Sequence, residues 1–221
     1  MLTRRGFLTQ SGLALAGFAL PSAAHSRPTG TGAAGSVVEV RMRSEDLGAE
    51  VWFDPIGVRI EPGQTVRWIV TSPGNPHTTT AYHPRNAGHS LRIPEAAAPW
   101  DSGFLLNPGD TFEATLTIEG VYDYFCLPHE AGGMVGRIVV GRPSGPGMLS
   151  FDYFANRPER EAWVPVPEAA RAAFPSVGAI VAHGVVRRTR ATPRSGSSGD
   201  HEITERGRSD SARCWGARIR P

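Results

Sequence analysis

Lysine is absent from this 221-residue chain, and all 23 of its basic side chains are arginines. The apolar run of residues 12–20 is too short to span a bilayer, since a membrane helix needs ~20 apolar residues, and we expect no transmembrane span in the mature chain. Cysteine is scarce: Cys126 and Cys214 are the only two, which excludes a scaffold held by several disulfide bonds. We do not expect these two to form a bridge, because Cys214 lies in a stretch without periodicity and a disulfide needs fixed geometry.

The net charge of +2 conceals an uneven distribution of charge along the chain. Residues 36–141 hold seven arginines against thirteen acidic residues, whereas arginine prevails in residues 1–35 and 187–221. The whole-chain pI is therefore alkaline because of its two ends. An acidic central domain argues against a nucleic acid partner, and it favours docking to a basic patch on a partner protein.

The N-terminal residues have the pattern of an export signal. Residues 3–8 form a twin-arginine motif, the weakly apolar run 12–20 follows, and residues 22–24 have the small-x-small character of a cleavage site. We therefore predict a twin-arginine signal peptide over residues 1–24, a linker over residues 25–35, and a periplasmic or otherwise exported product.

Apolar residues recur with a period of two in the predicted domain of residues 36–141. Val38, Val40 and Met42 alternate with charged residues, and residues 111–118 alternate as cleanly. Short strand-like segments, Pro/Gly turns and scarcely any helical periodicity predict an all-β domain, a β-sandwich large enough for one core. The large aromatic residues predicted to lie in that core are Trp52, Trp68 and Phe112.

The remaining residues divide into two parts. Residues 142–186 form a C-terminal extension with a predicted short helix over residues 167–174, which begins at a proline. This extension has too few large apolar residues for a core of its own, so it either packs on the sandwich or forms a partner surface. Residues 187–221 are rich in Arg, Ser and Gly, and we predict that they are disordered. If the extension packs on the sandwich, its expected contacts are Phe151, Tyr153, Phe154 and Trp163.

One short segment combines three kinds of metal ligand. Cys126, His129 and Met134 follow a C-x2-H-x4-M spacing, between the aromatic residues 122–125 and the β-branched residues 135–140. A loop between two such strands would present a thiolate, an imidazole and a thioether toward one point. With a second imidazole, this is the donor set of a blue-copper electron-transfer site.

The second imidazole must come from another part of the chain. His77 is the best candidate, and a Pro/Gly loop delivers it to the head of a predicted strand over residues 78–82. A lone histidine in such a loop is more often merely exposed, so its rank depends on the need of the site for a second imidazole. His83 and His89 are the alternatives, and they lie in an insertion-like loop that a proline and a glycine interrupt. We interpret these two as exposed loop histidines in preference to ligands of a second metal site, which would show denser clustering.

Three segments of the chain resemble those of a known family. Residues 124–134 look like the ligand loop of the small blue copper proteins, the cupredoxins, nearest to the plastocyanin, pseudoazurin and halocyanin group. Residues 75–78 and 104–110 extend the resemblance upstream, so that it covers roughly residues 36–141. It implies a Greek-key β-sandwich and one type 1 copper per chain.

Carried over residue by residue, the resemblance implies His77, Cys126, His129 and Met134 as the copper ligands. Many members have asparagine directly after the first histidine, where it braces the two ligand loops by hydrogen bonds. This chain has Thr78 there, and we expect its hydroxyl to do part of that work.

These observations predict an exported blue copper protein, a monomer that carries single electrons between redox protein partners. No general acid/base pair is evident, and no His-x-His pair of the kind that a multicopper oxidase or reductase needs occurs in the sequence, so we do not expect an enzyme. The alternative is a periplasmic protein that binds and delivers copper with the same ligands. A structural sandwich whose ligand loop no longer binds metal is a third hypothesis.

Overall fold

Two β-sheets, built mainly from strands between residues 37 and 140, enclose one hydrophobic core in a computed structural model. The structure describes residues 35–45, 48–156, 158–160 and 162–189. Within this described part, no helix has the length and the apolar character needed to cross a bilayer. The predicted signal peptide, nearly all of the linker and most of the predicted disordered tail lie outside the described residues.

The strands are β1 (Val37–Glu45), β2 (Glu50–Asp54), β3 (Gly57–Ile60), β4 (Gln64–Val70), β5 (Thr80–Ala81), β6 (Thr111–Leu116), β7 (Gly120–Phe125), β8 (Val135–Val140) and β9 (Val185–Val186). In the described residues between β8 and β9 lie two α-helices, α1 (Glu168–Ala173) and α2 (Val177–His183), and two short 3-10 helices, Pro146–Met148 and Pro158–Arg160. The first sheet has the order β2-β1-β4-β6 and the second has the order β5-β7-β8-β3-β9. The pairs β1–β4 and β3–β8 are parallel. The predicted fold class, an all-β sandwich with a short, partly helical C-terminal extension, is confirmed.

The alternating segments bury one side of each strand between the two sheets. In β4 every second residue is buried, and the ring centroid of its Trp68 lies 5.5 Å from that of Trp100 and 5.3 Å from that of Tyr124. Phe112 packs against the same core while remaining partly exposed. Each large side chain of this kind stabilises the fold by roughly 1.5–3 kcal/mol when fully buried. Trp68 and Phe112 therefore lie where the sequence predicts.

Trp52 is the exception to the predicted core. The register of β1 and β2 pairs Met42 with Phe53 and Arg43 with Trp52. Phe53 is fully buried, whereas Trp52 is partly exposed and has the Arg43 guanidinium over its ring, 5.5 Å from the centroid. Successive side chains of a strand point to opposite faces, so only one of two neighbouring aromatic residues can enter the core. The prediction that Trp52 lies in the core is therefore wrong, and Phe53 lies there instead.

The C-terminal extension covers the outer face of the second sheet. All residues of β7 and β8 are buried, because the side chains that point away from the sandwich core meet the extension. Phe125 and Val135 pack with Val166 and Ala170 of the extension. Farther along the sheet, Ile180 of α2 packs with the outward-facing valines of β7 and β8. The second sheet is thus covered on both faces.

Three of the four aromatic residues expected to contact the sandwich from the extension do so, and Phe154 packs on one of them, Trp163. Phe151 packs against the cluster that contains Phe125, and the Tyr153 hydroxyl donates to the Leu91 carbonyl at 2.7 Å. The rings of Phe154 and Trp163 lie 5.5 Å apart, and Trp163 packs against the sandwich core. Of the two alternatives for the extension, packing on the sandwich is observed.

A buried ionic cluster joins the extension to the second sheet. The fully buried Asp123 accepts hydrogen bonds from Arg137 Nε at 2.6 Å and from Arg92 Nε at 2.7 Å. The same two guanidinium groups donate to carbonyls of the extension: Arg92 to Gly147 at 3.1 Å, and Arg137 to Pro175 at 2.9 Å. One carboxylate of β7 therefore orients two arginines that hold the extension at separate places.

The last strand, β9, lies along an edge of the second sheet. Val185 and Val186 pair with Val58 and Gly57 of β3 in antiparallel fashion, and the following Arg187 forms an ion pair with Asp54. Since β3 also pairs with β8, it has a hydrogen-bonded neighbour on each side.

Candidate metal centre

The segment with the C-x2-H-x4-M spacing connects β7 to β8, as predicted. Residues Leu127–Gly132 form a 3-10 helix, and Gly133 ends it with a left-handed backbone conformation, φ 85°. The Cys126 amide donates to the Met134 carbonyl at 3.0 Å, and the Met134 amide donates to the His129 carbonyl at 3.1 Å. These bonds close the loop, which we call the ligand loop (residues 126–134), and fix its three chemically distinctive residues relative to one another.

His77 reaches the same place from another part of the chain. Its backbone exchanges two hydrogen bonds with Leu105, 3.0 and 2.8 Å long, so two connecting segments are joined beside the ligand loop. His77 is fully buried, and its Nδ1 lies 3.7 Å from Cys126 Sγ. Of the three candidate histidines, His77 is the one that the structure places beside the thiol.

The ligand atoms of three of the four predicted residues lie close together. His129 Nδ1 is 3.3 Å from Cys126 Sγ, and the ligand atoms of His77, Cys126 and His129 all lie within 4.8 Å of one another. Cys126 and Met134 are fully buried in one hydrophobic cluster, whereas His129 is only half-buried. Among the described residues, this is the one group of potential metal ligands gathered so closely.

Burial sets the protonation of these side chains. Burial and the neighbouring His129 lower the pKa of His77 to about 4, and burial also lowers the pKa of His129. Both imidazoles are therefore neutral near pH 7, and each keeps a lone pair that can bind a metal. Burial raises the pKa of the Cys126 thiol to about 12, so a thiolate at this position needs a bound cation to stabilise it. Two imidazoles and a thiolate, with Met134 on the same loop, fit copper by their donor chemistry.

Comparison with known proteins leads to the same metal. Residues 38–141 match a family described as copper binding proteins, plastocyanin/azurin family. The plastocyanin of Scenedesmus fuscus is 37% identical over 95 residues, which make up 43% of this chain and 91% of that protein. The chain belongs to the plastocyanin/azurin family.

Two further proteins are similar to the chain to different extents. The halocyanin of Natronomonas pharaonis is 35% identical over 88 residues, 40% of this chain, and the chain spans 47% of the length of that halocyanin. A pseudoazurin structure from Sinorhizobium has 28% sequence identity and a TM-score of 0.42, covering 62% of this chain and 89% of that one. The predicted resemblance to the small blue copper proteins is confirmed.

Ser44, which the sequence analysis did not select, orients the His77 ring. Its hydroxyl lies 2.9 Å from His77 Nε2. In the tautomer that carries its proton on Nε2, His77 donates to Ser44 and its Nδ1 lone pair faces the sulfur. A sequence signal for this role exists: Ser44 continues the alternating series of Val38, Val40 and Met42, and is thus a polar residue on the inward face of β1.

Thr78, directly after His77, contacts the ligand loop through its backbone and its side chain. Its backbone N–H donates to Cys126 Sγ at 3.3 Å, and its hydroxyl accepts a hydrogen bond from the Leu127 amide at 2.8 Å. The same hydroxyl lies 2.9 Å from the hydroxyl of Thr80. Thr78 thus braces the segment of His77 against the ligand loop, and its hydroxyl takes the part expected of it.

This bracing can be tested with Thr78→Val, which keeps the side-chain volume and removes the hydroxyl. We expect the Leu127 amide to lose about 1 kcal/mol of protection, equivalent to roughly fivefold faster hydrogen exchange, measured by NMR on the metal-free protein. Thr78→Ser keeps the hydroxyl and should leave exchange at this amide close to wild type, even if it lowers overall stability. Equal exchange in the wild type and the Val variant would show that the hydroxyl does not brace the loop.

The interpretation of His89 as an exposed loop histidine is wrong. His89 is only 5% exposed, its Nε2 lies 2.8 Å from a Glu130 carboxylate oxygen, and its ring stacks on Phe125 with the centroids 4.4 Å apart. The cause is the extension, which pairs with this loop through Val164. Because the covering residues lie far along the chain, local sequence does not reveal the burial. His83, in the same loop, is half-exposed.

Proposed function

We propose that this protein is a one-electron carrier with a single type 1 copper held by His77, Cys126, His129 and Met134. The observation that carries the proposal is a buried thiol beside two neutral imidazoles, whose Nδ1 atoms lie 3.3 and 3.7 Å from the sulfur. Membership of the copper-binding family supports copper as the metal. The burial of Met134 and its place at the end of the ligand loop support it as the weak axial ligand.

Copper bound by these side chains would supply a Cu(II)/Cu(I) couple for one-electron transfer. The chain supplies a rigid site from which most water is excluded. Ser44 and Thr78 hold His77 and Cys126 through hydrogen bonds that do not depend on the metal, and little of the site is open to water. Side chains that move little between oxidation states favour rapid electron exchange, and the N–H of Thr78 beside the sulfur helps to set the reduction potential.

The proposed route for electrons is the exposed edge of His129. The other three proposed ligands are buried, whereas His129 is half-exposed. Leu127 in the same loop is 44% exposed, and Phe104 and Leu106, which flank the backbone partner of His77, are each 58% exposed. Large exposed apolar side chains of this kind mark interaction surfaces. Redox proteins with an apolar docking site and a basic patch would suit this surface and the acidic domain around it.

We place this carrier outside the cytoplasm, as a monomer exported by a twin-arginine signal over residues 1–24. The arginine pair, the short apolar run and the small-residue cleavage pattern support this proposal. The mature product would then consist of the linker over residues 25–35, the copper domain over residues 36–141, the extension over residues 142–186 and the terminal tail.

The proposal is tested by adding one equivalent of Cu(II) to the metal-free protein. We expect an intense blue thiolate-to-copper band and a narrow copper hyperfine splitting in the paramagnetic resonance spectrum. His77→Ala should lose the band, and His83→Ala, in the nearby loop, should keep it. A pale spectrum of the wild type would sink the type 1 assignment, and a band that survives His77→Ala but not His83→Ala would show that the wrong imidazole was chosen.

Copper delivery with the same ligands predicts a different response to competition. A carrier should retain its copper against a chelator in both oxidation states and give a reversible wave in protein film voltammetry. A protein that loses Cu(I) to a moderate chelator within the time of a redox cycle would instead be a copper donor.

A further inference from the structure

Glu130, directly after His129, carries a buried carboxylate whose two oxygens each have a separate partner. The side chain of Tyr82 donates its hydroxyl to Glu130 Oε1 at 2.6 Å, and His89 Nε2 lies 2.8 Å from Oε2. Glu130 is only 8% exposed although it belongs to a surface loop. A carboxylate is rarely buried to this degree unless it is paired, so its position depends on these two partners.

Neither partner belongs to the ligand loop. Tyr82 follows β5 and packs its ring on Phe125 with the centroids 4.5 Å apart, while His89 stacks on the same ring. Burial and the Glu130 carboxylate raise the pKa of Tyr82 above its ordinary value, so its hydroxyl keeps its proton and donates. The rings of Tyr82 and His89 also lie 5.5 Å apart, so the two anchors and Phe125 pack against one another and hold each other in place.

The anchor at His89 is itself held by the C-terminal extension. The Ser90 amide donates to the Val164 carbonyl at 3.1 Å, and the Val164 amide donates to the Gly88 carbonyl at 2.8 Å. These bonds fix the backbone on both sides of His89. A continuous set of contacts thus leads from the extension through His89 to Glu130.

In the ligand loop, Glu130 lies between two proposed copper ligands, His129 and Met134. Its backbone carbonyl accepts the Gly133 amide at 2.8 Å, within the turn that leads from His129 to Met134. Behind this turn, a Cβ at Gly133 would come within 3.2 Å of the Ala169 carbonyl of α1. The side chain of Glu130 therefore anchors the loop on one side, and α1 packs closely against the backbone of the loop at Gly133.

We propose that Glu130 is a positioning residue for the copper site: anchored by Tyr82 and His89, it holds His129 in place relative to Cys126 and Met134. The extension acts on the site through the same contacts, although it contributes no ligand. The inference rests on the proposed function, since it concerns the geometry of the bound copper.

The test compares Glu130→Ala and His89→Ala with Glu130→Gln, whose amide can still accept from Tyr82 and bond to His89. Exposed Glu95 provides the control variant Glu95→Ala. The readouts on the copper-loaded protein are the reduction potential and the copper hyperfine splitting. On the metal-free protein, the readout is hydrogen exchange at the Gly133 and Met134 amides.

We expect both alanine variants to shift the potential and the hyperfine splitting in the same direction and to speed exchange at those two amides. Glu130→Gln and Glu95→Ala should stay near wild type. The double variant Glu130→Ala/His89→Ala should shift the potential no further than the larger single shift, because both changes break one connection.

A lowered melting temperature of the Glu130→Ala variant with an unchanged potential and hyperfine splitting would show that Glu130 serves stability alone, and would overturn the inference. If Glu130→Ala does not fold, Tyr82→Phe removes one anchor while keeping the ring, and the same readouts decide. A wild-type protein that gives no blue spectrum refutes the proposed function itself, which is a different outcome from a blue protein that is indifferent to Glu130.

Discussion

Replacing Cys126 with serine should abolish the blue absorption band of the copper-loaded protein while the sandwich remains folded. The band requires a bond between thiolate sulfur and copper, and a serine hydroxyl at the same position neither ionises near neutral pH nor provides a soft donor. The nearby His77 and His129 could still hold a metal through nitrogen. We therefore expect a pale spectrum with a wide hyperfine splitting in place of the blue one.

The same replacement should remove most of the stabilisation that copper gives. A ligand that binds only the native state adds about 4 kcal/mol when its free concentration is a thousand times the dissociation constant. Melting curves with and without one equivalent of Cu(II) should differ widely for the wild type and little for Cys126→Ser. Cys214→Ser is the matched control, and it should behave as the wild type does.

The contrary result would be equally informative. If Cys126→Ser and the wild type melt alike, both with and without copper, the thiol has no part in metal binding and the hypothesis of a structural sandwich regains its place. A lost band with an unchanged copper-induced shift in melting temperature would mean that nitrogen ligands carry most of the affinity.

Asp123→Asn should cause the largest loss of stability among single changes in the ionic cluster. The carboxylate is fully buried between the guanidinium groups of Arg92 and Arg137, and asparagine keeps the shape but not the charge. Removing one partner of a buried ion pair leaves uncompensated charge and typically costs about 3–5 kcal/mol. This is a large part of the 5–15 kcal/mol, roughly, that keeps a domain folded.

Urea denaturation of the metal-free protein measures this loss. Glu113→Gln is the matched control, since it breaks the ion pair with Arg67, which has a similar N–O distance of 2.6 Å but lies at the surface. Exposed pairs contribute at most about 1 kcal/mol, so the two variants should differ severalfold in the free energy of unfolding that they lose. If Asp123→Asn loses no more than Glu113→Gln, the cluster does not hold the extension in place.

The residues of the ligand loop could be predicted because their chemistry is local. Cys126, His129 and Met134 lie within nine residues of one another between two strand-like segments, and loop closure alone brings their side chains to one side. His77 required an additional argument, namely that the donor set lacked an imidazole. The strands themselves followed from alternation, which depends only on each segment and its buried face.

The surroundings of the site could not be predicted, because they depend on contacts between distant parts of the chain. Asp123 has the appearance of an ordinary polar residue in an alternating strand, and its burial depends on arginines that the extension covers. In the sequence, Glu130 and His89 resemble exposed loop residues. His89 is buried where the distant Val164 pairs with its loop, and Glu130 is buried against Tyr82 and His89. Alternation also cannot say which of Trp52 and Phe53 faces inward, since that is decided by the register with β1.

The short strand β9 has a consequence for how molecules of this protein meet one another. An unprotected edge strand offers a row of free backbone groups to which a second chain can add, and this is a common route to aggregation. Here Val185 and Val186 pair with the side of β3 that faces away from β8, and Arg187 after them places a charge at this edge of the sheet. The extension thus protects this side of β3 from the addition of a strand from a second chain. A protein truncated to residues 38–141, the part that matches the family, would lose this protection.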